Sequence, residues 1–81
     1  MKLWLISQNV NGGYDTYDSA VVCAKTIEEA RKIDPANGRD VTNGSSSWGW
    51  VRSPDDVSCK LIGFAKGEIE KGVICASFNA G

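Results

Sequence analysis

Lys2-Leu3-Trp4-Leu5-Ile6-Ser7-Gln8 is a run of period two in which both sides are apolar, Leu3 and Leu5 on one, Trp4 and Ile6 on the other. Two later segments repeat the pattern. In Ser19–Ala24, Val22 and Ala24 oppose Val21 and Cys23; in Val73–Phe78, Val73 and Cys75 oppose Ile74, Ala76 and Phe78. A sheet with one wet face alternates apolar with polar instead. These strands therefore ask for cover above and below.

After this run, Asn9-Val10-Asn11-Gly12-Gly13 is dense in turn formers, so the second strand returns antiparallel to the first. Thr26-Ile27-Glu28-Glu29 is a capping box, with the Thr26 hydroxyl accepting from the Glu29 N–H and Glu29 reaching back to the start of the helix. The helix continues through Ile33, acids first and bases last, until Asp34-Pro35 stops it. Ala36–Ser47 reads as a long polar loop, and loops of that length are commonly functional. Trp48-Gly49-Trp50-Val51-Arg52 reads as a third strand with both indoles and Arg52 on one face. Ser53-Pro54-Asp55-Asp56 is a single capped turn, followed by strands over Ser58–Ala65 and Val73–Phe78. The expected fold is α+β: a single mainly antiparallel β-sheet in the order β-β-α-β-β-β, with one short helix on one face, over a single domain, 1–81.

Four to five strands of about 18 Å, spaced about 4.8 Å apart, present a face of roughly 350 Å². A helix about 13 Å long and 10 Å wide shades roughly 130 Å² of it. The remainder predicts an interface, and a twofold homodimer packing sheet on sheet, or a higher homo-oligomer, supplies the cover. The plainer alternative is that the 36–47 loop and the 9–18 segment fold over the second face.

Composition narrows the function. The 81 residues are 42% hydrophobic and 23% charged, with a net charge of −1, which suits a folded domain and gives no basic patch for nucleic acid or an anionic membrane. No apolar stretch approaches a membrane span, and the N-terminal run is too short for a signal peptide. The three cysteines, Cys23, Cys59 and Cys75, sit in apolar runs and read as buried small hydrophobes in a reducing, cytoplasmic compartment. The sequence contains no histidine, so it offers no Ser-His or Cys-His couple and no usual zinc set. We expect no enzyme, no catalytic residues, no metal and no cofactor; Asp15 and Asp18 read as turn residues and Glu28 and Glu29 as helix-capping acids.

Two segments look like binding surface. Tyr14, Asp15 and Tyr17 alternate rings with small hydrogen-bonding groups that suit a purine and its ribose hydroxyls. Trp48, Trp50 and Arg52 would sandwich a ring and hold a phosphate. Asn79 adds a polar group at the end of the last strand, and Arg39 in the long loop is placed to close over an anion. The plainer alternatives are tyrosines packed over the sheet edge, tryptophans in the core or an interface, and a terminal strand with its cap.

Leu5–Asn9, Gly13–Val22, Glu28–Ile33, Trp50-Val51, Val57, Lys60–Gly63 and Val73–Gly81 together resemble a family of small proteins encoded by tailed phages and prophages. The resemblance covers nearly the whole chain outside the 36–47 loop. It implies a place in the host cytoplasm. Small oligomeric phage proteins of this sort include sponges, which sequester nucleotide-derived signals of bacterial defence, such as cyclic nucleotides or ADP-ribose derivatives. The expectation is a non-catalytic binder of a nucleotide-type small molecule; the alternatives are a protein–protein inhibitor of a host enzyme and a phage accessory subunit.

Overall fold

The computed structural model describes residues 1–10, 12, 15–43, 49–51 and 53–79. Strand β1 is Lys2–Ser7, β2 is Thr16–Ala24, helix α1 is Ile27–Arg31, β3 is Ser58–Phe64 and β4 is Gly72–Asn79. The strands form one antiparallel sheet in the order β3-β1-β2-β4, with the helix on one face, a small α+β fold.

Period-two alternation sends Trp4 and Ile6 of β1 to the helix face, where they meet Ala20, Val22 and Ala24 of β2. The Trp4 indole Nε1–H donates to the Ala24 carbonyl at 3.0 Å, so the largest ring of this face is buried without leaving a polar group unmet. The Thr26 hydroxyl accepts from the Glu29 N–H at 3.2 Å, as the capping box predicts, while the Glu29 carboxylate reaches the Lys25 N–H at 3.1 Å, one residue ahead of the cap.

Three expectations need correction. The helix is five residues, about 7.5 Å long instead of about 13 Å, because Lys32 closes it and Ile33 leaves to form an isolated bridge with Asp40. The 36–47 segment is not simply a polar loop. Its described part, through Asn43, is held by the Asp34 carboxylate on the Ala36 N–H and by the Gly38 N–H on the Asp34 carbonyl at 2.7 Å. Gly38 sits at φ 73°, a left-handed conformation that glycine takes without strain, and Val41 then drops into the core. Finally, Gly49-Trp50-Val51, the described part of the expected strand 48–52, forms no strand. Trp50 and Val51, consecutive and both buried at 2% and 5% exposure, pack into the core from an irregular segment outside the sheet.

These corrections share one physical result. The stub of helix does not cover its face alone; Ile33, Val41, Trp50, Val51 and Val57 complete the same core. The described parts of the 36–47 and 9–18 segments reinforce this same face, through Val41 and Tyr17.

The second face stays open among the described residues over most of its area. Leu5 is 38% exposed there and Cys75 is exposed, whereas Cys23 at the far end is buried beneath Met1 and the Ile69 carbonyl. Cys75 therefore departs from the expectation that all three cysteines are buried.

Candidate functional site

The first strand ends in a polar anchor. Gln8, nearly buried, donates through Nε2 to the Tyr17 carbonyl at 2.8 Å and accepts the Val10 N–H at 2.9 Å, while its own N–H donates to the Asp18 carbonyl at 3.1 Å. One side chain thus ties the exit of β1 to the start of β2. Asp15 enters β2 at φ 60°, a conformation that aspartate tolerates better than most residues, and places Thr16 in the interior.

β2 bulges between Tyr17 and Ser19 in its pairing with β4, which turns Tyr17 toward the core side. There the half-buried Tyr17 ring meets Phe78, centroids 4.9 Å apart and planes tilted by 52°. The Tyr17 N–H donates 2.8 Å to the Gly49 carbonyl. Gly49 comes so close that a Cβ on it would stand 2.9 Å from the Asp15 carbonyl oxygen. Glycine is required here by the approach of two backbones, and the approach joins the two segments whose aromatic residues drew attention in the sequence.

Of the seven predicted site residues, four meet at this corner in backbone terms: Asp15, Tyr17, Trp50 and Asn79, the last paired with Thr16 across the sheet. Asp15 is exposed and Tyr17 half-buried. Trp50 is corrected from a stacking platform to a core residue, with its ring buried beneath the corner. Tyr14, Trp48 and Arg52 lie outside the described residues, as does the Asn79 side chain. The backbone around Arg39 is pinned by Asp34 and Asn37 rather than swinging free. Gln8, Thr16 and Phe78 escaped the sequence reading; the one available signal was a glutamine closing an apolar strand just before a glycine-rich turn.

No family model, curated protein or solved structure matches the chain. Function therefore rests on the site itself.

Several concavities lie elsewhere, two of them bearing on the chemistry. A groove of about 460 Å³ runs between α1 and the Pro54–Asp56 turn, with Arg31, Asp55, Asp56 and Cys59 in its walls. Arg31 is engaged there, its Nε–H donating to the Val57 carbonyl at 3.2 Å. Burial pushes the Cys59 thiol above its ordinary pKa, against a smaller opposing pull from Arg31, so it stays protonated at neutral pH and is a poor nucleophile. A shallower hollow of about 200 Å³ lies on the open sheet face beside Leu5, Val21 and Cys75. No group of three His, Cys, Asp or Glu side chains among the described residues is arranged to hold a metal ion, and no helix among them is long and apolar enough to cross a membrane.

Proposed function

We propose that this chain is a non-catalytic binding protein that works as a homo-oligomer and takes a nucleotide-type small molecule at the Asp15–Tyr17 corner, in the manner of a phage sponge for a nucleotide-derived defence signal in the host cytoplasm. The observation that carries the reading is the convergence at one sheet end of Asp15, the Tyr17–Phe78 ring pair and the Gly49–Trp50 segment. Such a corner offers a ring edge, a carboxylate for sugar hydroxyls and a backbone fixed in advance by the Gln8 bonds. Binding of this kind needs no nucleophile or general base.

Protein purified from cells making cyclic nucleotides or ADP-ribose derivatives is expected to release one of them intact on heating, detected by mass spectrometry, and to rebind it by calorimetry. Tyr17→Ala should weaken that binding at least tenfold. Empty preparations with flat calorimetry against both ligand classes would overturn the ligand reading. The exposed apolar row on the open face favours one second reading, an inhibitor of a host enzyme. A stoichiometric host protein held by ligand-free material would support that alternative.

A further inference from the structure

The strand registers lay out two straight rows across the open face. Ser58, Ser7, Ser19 and Ser77 stand side by side on β3, β1, β2 and β4. In the next row stand Lys60, Leu5, Val21 and Cys75 in the same strand order. One row is all hydroxyl; the other is apolar apart from a single cation at one edge. We propose that this face packs on the same face of a second copy about a twofold axis running along the strands.

That axis reverses the strand order but keeps each row at its own height. The serine row then lies over the serine row of the second copy, with Ser7 over its Ser19 and Ser58 over its Ser77. Leu5 lies over the second copy's Val21, so apolar meets apolar and hydroxyl meets hydroxyl. Lys60 lies over the second copy's uncharged Cys75. A twofold axis across the strands at the height of that row would instead set Lys60 over Lys60, a like-charge pair that the first axis avoids. The residue pattern thus favours the axis along the strands, which matches both rows at once.

The remaining surface agrees with this occupant. The apolar row is central, while the serines and Lys60 lie toward the rim, the usual anatomy of an interface. The hollow beside Val21 and Cys75 is placed to receive the second copy's Leu5. Four strands about 4.8 Å apart and about 20 Å long give a footprint near 400 Å² per copy, about half that of a standard stable interface, so the dimer is weak and should dissociate on dilution. This inference rests on the self-association in the proposed function and not on the identity of any ligand.

Cysteine crosslinking tests the arrangement. Stacked sheets lie about 10 Å apart, which suits a short bismaleimide between directly facing thiols, whereas opposite sheet edges within one copy lie about 14 Å apart, beyond its reach. With Lys60→Cys, at a concentration where the protein is dimeric, the expected product is a dimer linked from position 60 to Cys75 of the other copy, mapped by peptide mass spectrometry. The parent protein should give no Cys75–Cys75 link, since those residues lie at opposite edges. A dominant Cys75–Cys75 product in the parent would overturn this packing, because the crossed axis and edge-to-edge pairing of β4 both produce it. A monomer at near-millimolar concentration would overturn it too. In either case ligand release on heating reports separately on the binding corner.

Discussion

The three thiols of this chain have three environments, and their chemistry should follow. Cys75 is exposed, Cys59 is half-buried with its pKa raised by burial, and Cys23 is sealed beneath Met1 and Ile69. In dilute solution at pH 8, maleimide labelling followed by mass spectrometry should modify Cys75 first, Cys59 more slowly, and Cys23 only on unfolding; equal rates would contradict the packing. Asp40 titrates in the opposite sense, held below the usual carboxylate range first by the Thr42 hydroxyl and then by the Thr42 N–H, with Lys32 and Lys71 adding to the effect. A depressed folded pKa stabilises the fold above the unfolded carboxyl's pKa, and the contribution disappears as pH falls through the folded value. Urea denaturation should therefore find Asp40→Asn less stable than the parent at pH 7, with the gap closing toward pH 2; a gap that persists in acid would point to another cause. At this scale the sequence is only half legible. Trp50 reads equally well as platform or core, since nothing in Trp-Gly-Trp-Val-Arg says which side faces water until Asp15 and Gly49 are known to touch.

Among the elements, β1, β2 and β4 are legible because their period two is bounded by turn formers, Asn9–Gly13 between the first two and Gly72 at the start of the last. Trp48–Arg52 mimics the same signal with a short apolar run, but its described part is a plug that closes the core behind the helix. The helix start is legible in its cap, and its early end is not, because Ile33 is drawn into pairing with Asp40 by a turn whose chemistry lies in Asp34 and Gly38. A five-residue helix depends on its cap, so Thr26→Ala should cost about 1 kcal/mol by chemical denaturation. Gly49→Ala places a methyl against the Asp15 carbonyl and should break the Tyr17–Gly49 contact. It is expected to weaken ligand binding and to lower the melting temperature. An alanine variant with parental stability would mean that the two segments do not meet as described.

At the level of the whole molecule, the described covering segments gather on one face of one sheet. The demand for cover on both faces was legible from Leu3/Leu5 against Trp4/Ile6, but the side on which the loops would fall was not, because that depends on contacts made by Val41, Trp50 and Val51 far along the chain. The open face carries a serine row beside an apolar row, invisible until the registers of all the strands are fixed. Sedimentation equilibrium on the parent and on Leu5→Lys tests whether this face is the seat of self-association. The expected result is a reversible dimer for the parent at high concentration, and a monomer for the variant with near-UV circular dichroism unchanged. A parent that stays monomeric to near-millimolar concentration, or a variant that dimerises as well as the parent, would contradict it.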